Sequence, residues 1–336
     1  MKQYDVYALG NALVDKEFEV SDDFLAHEQI QKGIMTLVDA ESQNVLLGRL
    51  TAKFGLKKRA GGGSAANTLY AVSQFGGHTF YSCRVANDEF GDFYVNELGH
   101  HNIDTNLGEQ RADGVTGKCL IMVSPDAERT MLTCLGISEK IDSSDINVEA
   151  LKNSKFLYLE GYLVSSESGR AACIEARRIA EAAGVMTTMT LSDAAMVQFF
   201  RGGLEEMIGN GVGMMFANKT EALNWTGKDS IEDALTELHK IAKVLVVTLG
   251  AKGAIVSDQG KVTHIDPVTV KAVDTNGAGD MFAGAFLYGI SSGMSYAQAG
   301  DLASHAAARV VSQFGPRLAP DEHRPILDAV VPRTPS

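Results

Sequence analysis

The sequence predicts an α/β protein of three layers, with a mostly parallel central sheet between two sets of helices. Two observations carry that expectation. From residue 155 onward, apolar runs of strand length alternate with helical stretches: KFLYLEG, SGRAACIEARRIAEAAG, VMTTMTLS, MMFAN with TEALNW, KVLVVTLG and GAIVSD. Such alternation builds parallel strands joined by right-handed helical crossovers. The chain also has 336 residues, 45% of them apolar, enough for a large core, and no internal repeat or low-complexity linker divides it.

Composition removes several classes of function. With 42 acidic against 30 basic side chains the net charge is −12, and no basic run is interleaved with aromatics, so nucleic acid is not expected as a partner. No apolar run approaches the ~20 residues needed to cross a bilayer. The start MKQYDVYALG lacks the charged-then-apolar pattern of a signal peptide, so no membrane partner and a cytoplasmic location are expected. Cys83, Cys119, Cys134 and Cys173 lie in apolar segments without CxxC spacing and read as buried thiols.

YDVYALG (4–10) opens the chain as a strand, and Asp15 follows just beyond its end in GNALVD. A carboxylate at the carboxyl edge of a parallel sheet can accept from two adjacent sugar hydroxyls; a turn or lid aspartate is the plainer reading. FEV and GIMTLVD read as short strands, DFLAHEQIQ and ESQNVLLGRLTAKF as helices. In AGGGSAANTLYAVSQFGG (60–77) three glycines precede a helix that carries Asn67 near its start and stops at Gly76-Gly77. Bare backbone there would let a flat polar ligand rest on it while the Asn67 amide bonds a hydroxyl. TFYSCRV is a strand and FGDFYVNELGHHNI (90–103) an amphipathic helix. His100 and His101 are neighbours that point to different faces, with no His or Cys at ligand spacing, so both read as surface residues. TGKCLIMVS and RTMLTCL flank the turn PDAE as a hairpin.

In the second half, Asn218 stands three residues before Glu221, the spacing of a helix capping box. TLGAKGAIV reads as strand, glycine turn, strand. In VTVKAVDTNGAGDMFAGAFLYGI (268–290), Val268, Val270 and Ala272 share one face at strand spacing, and Gly277 and Gly279 form a turn that opens a small-residue helix. A glycine turn at a helix start favours an anion, because free N–H groups and the positive end of the dipole face it. Asp280 in that first turn would repel a phosphate. It either complements the dipole or accepts the proton of a hydroxyl that attacks a phosphoryl group. Ser295 and Gln298 form a capping box for a helix running toward Phe314 and stopped by Gly315-Pro316. Its small residues, Ala299 to Ala308, either line an adenine pocket or pack closely.

The stretch DTNGAGDMFAGAFL closely resembles the C-terminal signature of the ribokinase or PfkB family of carbohydrate and nucleoside kinases, and GGSAAN resembles its N-terminal GGxxxN signature. The resemblance implies a ribokinase-like fold in which residues 1–336 form one kinase domain, with a small β-strand lid built from about 15–40 and 104–136. It implies that Asp280 is the catalytic base, that Gly277, Ala278 and Gly279 form an anion hole, and that Arg129 on the lid clamps the transferring phosphate. Gly62, Gly63 and Asn67 would bind the acceptor together with Asp15. Asn218, Gly250, Gly253 and Thr275 would join Gly277 and Gly279 at ATP. Glu221 would hold Mg²⁺ through water, and a monovalent cation such as K⁺ is a further implied cofactor.

Within the family the resemblance is closest to the adenosine kinase group. GNALVD, DDFLAHEQIQKGIMTLVDAE, LEGYLVSS, LSDAAMVQFF, ANKTEA and DTNGAGD occur in the same order there. Leu13, Tyr162 and Phe199 match positions where that group surrounds a purine with apolar or aromatic side chains; a core apolar reading is the alternative for Tyr162 and Phe199. Thr190 departs from it, standing where those kinases have asparagine. The expected partners are therefore ATP and a small nucleoside or sugar. A sugar kinase of the same family, acting on ribose, fructose or a keto-deoxy sugar, is the alternative. An NAD-linked oxidoreductase would need GxGxxG after the first strand, where this chain has GNALVD. A non-catalytic nucleoside-binding protein would have no use for Asp280.

Overall fold

The computed structural model describes residues 3–108 and 111–330. Residues 109 and 110, within one of the two stretches expected in the lid, lie outside the described residues, as do both ends of the expected domain.

The strands in chain order are β1 (Tyr4–Leu9), β2 (Leu13–Glu19), β3 (Met35–Leu37), β4 (Lys58–Gly62), β5 (Thr79–Ser82), β6 (Ile103–Thr105), β7 (Thr116–Val123), β8 (Arg129–Gly136), β9 (Ser154–Glu160), β10 (Met186–Thr190), β11 (Val212–Asn218), β12 (Ala242–Thr248), β13 (Ala254–Asp258) and β14 (Lys261–Ile265). Nine of them form one sheet in the order β14-β13-β12-β11-β10-β9-β1-β5-β6. It is parallel from β6 through β12, and only the β12–β13 and β13–β14 pairs are antiparallel. Period-two alternation divides its side chains between two cores. Tyr7, Leu9, Leu157 and Leu159 join one with the helix Glu167–Ala182, whereas Val6, Ala8, Phe156 and Tyr158 join the other with the helices Ser64–Phe75, Ala278–Ser291 and Tyr296–Val311. The three-layer α/β expectation is met.

The remaining strands form a second sheet, β3-β8-β7-β2-β4. Phe18, Leu120 and Met122 on its outer face pack against Phe24, Leu46 and Leu50 of the helices Asp22–His27 and Ala40–Lys53. Leu13 and Asp15 face the other way, toward a cavity. Of its five strands, β3, β7 and β8 fall in the stretches 15–40 and 104–136, β2 begins two residues before the first of them, and β4 lies outside both.

Three local readings change. Residues 268–273 are not a strand, although Val268, Val270 and Ala272 alternate. Among the described residues no strand lies beyond β14 to pair with them; instead Val273 and Asp274 donate to the carbonyl of Val311 at 2.9 and 3.2 Å, and Val270 stays exposed. Asp15 does not sit in a turn after β1 but within β2 of the second sheet. The surface reading holds for His100, whereas His101 is half-buried, its ring edge-on at 4.6 Å from Tyr70. All four cysteines are buried and free. Among the described residues no helix is long and apolar enough to cross a membrane.

Candidate active site

The order of the main sheet reverses between β1 and β9, the position at which α/β sheets bind ligands beyond their strand ends. A cavity of about 720 Å³ opens there. It is lined by residues at the carboxyl ends of successive strands: Asn11 after β1, Glu160 on β9, Thr190 on β10, Asn218 on β11 and Thr248 on β12. The second sheet covers it with Leu13, Asp15, Met35, Ile121, Arg129 and Met131.

Asp280 lies in the first turn of Ala278–Ser291, where the preceding Gly277 takes the left-handed conformation at φ 72°. A side chain on Gly277 would overlap Pro316, so the turn cannot carry one. The Ala278 N–H reaches the Thr275 carbonyl at 3.3 Å, and the next residues of the helix, Gly279 and Asp280, border the cavity with N–H groups that lie in its unpaired first turn. The same helix lies close against Ser64–Phe75, because Gly284 leaves no Cβ to meet Thr68 and Ala71. That approach brings Asp280 within 2.7 Å of the Ser64 hydroxyl and 3.0 Å of the Asn67 amide, both of which donate to it. Burial pushes the Asp280 carboxyl above its ordinary range, while the Ser64 and Asn67 hydrogen bonds and the charges of Arg129 and Arg317 pull it back.

Asp15 borders the same cavity, and among the described residues nothing donates a hydrogen bond to it. Burial, then the neighbouring Glu17, hold its carboxyl well above the usual range. It is an acceptor without a donor, the condition in which a ligand hydroxyl is most welcome. Arg129 makes no ion pair among the described residues and faces the cavity with Asp193 and Asp280 in its field. It is free to meet an incoming anion.

The capping box is present: Asn218 accepts from the Glu221 N–H at 2.8 Å, and the two Glu221 oxygens accept from the Asn218 N–H and amide at 3.0 and 2.6 Å. Glu221 is buried at the cavity wall, and desolvation pushes its carboxyl up to about 7. Among the described residues no group of three or more His, Cys, Asp or Glu could hold a metal alone. A divalent ion would fit here only with nucleotide phosphates and water as its main ligands, the arrangement Mg²⁺ favours, and with Glu221 holding a bound water.

Leu13, Gly63, Tyr162, Gly250, Gly253, Thr275, Ala278 and Gly279 also border the cavity, but two expected residues do not. Gly62 lies behind Asp15, with its carbonyl accepting from Tyr94 at 2.7 Å. Phe199 is 66% exposed and away from the cavity: it ends the helix Ala194–Phe199, which turns Ala195, Met196 and Val197 inward and leaves Phe199 in solvent. Thr275 borders the cavity, yet its hydroxyl donates to the Ala127 carbonyl at 3.0 Å and ties the glycine turn to the β7–β8 hairpin.

Sequence reasoning missed Ser64, Glu160, Glu17 and Arg317. Glu160 accepts from the Asn11 N–H at 2.7 Å, the Asn11 amide at 2.8 Å and the Ala65 N–H at 2.8 Å; burial pushes its carboxyl up to about 7. A carboxylate ending a buried apolar run, as in FLYLEG, was the available signal.

A two-sheet α/β fold with a glycine turn, a carboxylate and an uncommitted arginine around one cavity defines a phosphotransferase-like site. The profile described as pfkB family carbohydrate kinase matches residues 34–323, and the chain belongs to that family. It is similar to adenosine kinase of Saccharomyces cerevisiae, 25% identical over 327 residues that cover 92% of this chain and 95% of that protein. Among solved structures it is similar to adenosine kinase from Sinorhizobium meliloti, at TM-score 0.89 and 35% identity over 94% of this chain and 96% of that one. It is also similar to a probable sugar kinase protein from Rhizobium etli CFN 42, at TM-score 0.92 and 32% identity over 98% of this chain and 100% of that one. The chain is thus a pfkB-family kinase, like adenosine kinases and sugar kinases.

Proposed function

We propose that this kinase uses ATP to phosphorylate a primary hydroxyl, namely the 5′-hydroxyl of adenosine or a related nucleoside. The observation that carries the reaction is Asp280, held by Ser64 and Asn67 beside a glycine turn that faces the cavity. A hydroxyl placed at Asp280 loses its proton to the carboxylate as its oxygen attacks the γ-phosphoryl group; the bond to the leaving ADP breaks, and the N–H groups after Gly277 receive the moving negative charge. Arg129 meets that charge from the second sheet. Asp15, Gly63 and Asn67 hold the ribose hydroxyls. Asn218, Gly250 and Gly253 lie on the nucleotide side, where bound Mg²⁺ would neutralise the phosphates and Glu221 would hold one of its waters.

The nucleoside reading rests on the apolar wall beside Asp15. Leu13, Met35, Ile121, Met131, Leu135 and Tyr162 border the cavity there, a surface that suits a purine and that a sugar alone would leave unused. A sugar acceptor is the second reading, supported by the likeness to the Rhizobium etli protein and to a ribokinase from Mus musculus, 29% identical over 68% of this chain and 70% of that protein. The deciding experiment is kcat/KM for adenosine, inosine, ribose and fructose with ATP, followed by ADP release. Adenosine should lead. A preference for ribose or fructose over both nucleosides would overturn the acceptor and leave the kinase reaction standing.

A further inference from the structure

Arg317 stands behind the cavity wall, two residues after Gly315, and is 7% exposed. Its Nε donates to the Asn67 side-chain oxygen at 2.9 Å, its guanidinium lies 5.0 Å from the centre of the Tyr70 ring, and its Nη1 is 3.6 Å from Glu97. Its Nη2 is buried and has no hydrogen-bond partner among the described residues. A buried cation so sparsely compensated is costly to keep, and the Tyr70 ring and a long contact to Glu97 do not repay it.

A guanidinium can only donate. The Asn67 oxygen must therefore be the atom that faces Arg317, which leaves the Asn67 nitrogen facing Asp280. The chain of bonds runs Arg317 to Asn67 to Asp280, at 2.9 and 3.0 Å, with Ser64 completing the carboxylate's donors. We propose that Arg317 is a positioning residue for phosphoryl transfer: it fixes the Asn67 amide, and so the orientation of Asp280, and it places a positive charge behind that carboxylate. The inference rests on the reading of Asp280 as the base.

The groups that face Asp280 separate the role of Arg317 from that of its neighbours. Asp15 on β2, Glu160 and Tyr158 on β9, and Tyr162 just after β9 supply negative or neutral partners; Arg129 on β8 and Arg317 supply the positive charge. Arg129 faces the cavity, so a bound phosphate takes up its field. Arg317 lies outside the cavity lining, and its field on Asp280 persists through the cycle.

The test is the pH dependence of kcat at saturating acceptor, so that Asp15 is already engaged. In Arg317→Met the acid limb should move up by about one pH unit, with kcat ~10-fold lower near pH 6 and much less affected near pH 9. Arg317→Lys should keep the limb near wild type, because the charge remains, and lose roughly 3- to 10-fold at all pH values, because an ammonium does not reproduce the guanidinium fork. Glu97→Gln, outside the cavity, should shift the limb down by a few tenths of a unit as the Arg317 charge loses its partner. A folded Arg317→Met enzyme with an unmoved limb overturns the proposal; should that variant not fold, an unmoved limb in Glu97→Gln does so. A wild-type protein without kinase activity, or an Asp280→Asn variant as fast as wild type, would instead remove the reading on which the inference rests.

Discussion

The Asn276 side-chain amide donates to Glu17 at 2.9 Å, a bond that ties the second sheet to the glycine turn: Glu17 lies on β2, and Asn276 belongs to the turn that opens the helix of Asp280. Asp274 fixes the other side of that turn by accepting from the Asn276 and Gly315 N–H groups at 2.8 and 2.9 Å. The turn is therefore held from β2 below Asp15 and from the segment that carries Arg317. The second oxygen of Glu17 is buried without a partner among the described residues, and burial, then the charge of Asp274, push the carboxyl up to about 7.

That cost predicts the pH dependence of stability. Glu17, Glu160 and Glu221 each titrate near 7 in the fold against 4.5 when unfolded, so between those values the folded chain binds more protons and stability falls as pH rises. Lowering the pH from 8 to 6.5 should thus stabilise the protein by roughly 1 kcal/mol for each carboxyl. Below that window His323, whose burial lowers its pKa, works in the opposite sense. Thermal melting across the window checks this, and Glu17→Gln should flatten the slope while raising Tm at pH 8. A Tm that drops steadily from pH 8 to 6.5 would refute it.

Asp280→Asn should lower kcat by ~10²–10⁴ and leave acceptor affinity nearly unchanged, because the group acts on the proton in flight and not on the bound hydroxyl. Steady-state kinetics with a separate binding titration distinguish the two effects. A change in KM alone would remove the carboxylate from the chemistry.

The central sheet and the glycine turn were legible because local signals and tertiary structure agree there. Apolar strand runs set the parallel sheet, and the turn before Asp280 needs a left-handed residue that glycine supplies. Residues 268–273 misled because alternation alone cannot tell whether a partner strand exists. Arg317 and Glu17 were illegible for a different reason: their roles come from contacts 250 and 259 residues away, which no local pattern encodes. Phe199 shows the converse, since a matching position in a similar stretch does not fix which way a short helix turns its last side chain.

Glu221 tests whether one carboxylate serves two purposes. Glutamine keeps the spacing and acceptor of a capping box, so Glu221→Gln should leave Tm within a few degrees of wild type. It should raise the Mg²⁺ concentration required for half-maximal rate, because the neutral amide holds a metal-bound water more weakly than a carboxylate. A fall in stability with an unmoved Mg²⁺ requirement would leave Glu221 as a helix cap only.

The acceptor turns on which side chains meet the base. Tyr162 borders the cavity next to Asp193 and Arg129, with its hydroxyl 3.4 Å from the Ser192 carbonyl, whereas Phe199 points into solvent. If a purine stacks in this cavity, Tyr162→Ala should cost on the order of 1–3 kcal/mol of adenosine binding, and Phe199→Ala should cost almost nothing. Asp15→Ala should harm nucleosides and sugars alike, since each presents hydroxyls to that carboxylate and loses the same bonds. Binding titrations of adenosine and ribose to the three variants read these effects separately. A loss in Phe199→Ala equal to that in Tyr162→Ala would mean that the helix Ala194–Phe199 turns inward when the acceptor binds, and equal losses for adenosine and ribose in Tyr162→Ala would remove base stacking from the recognition.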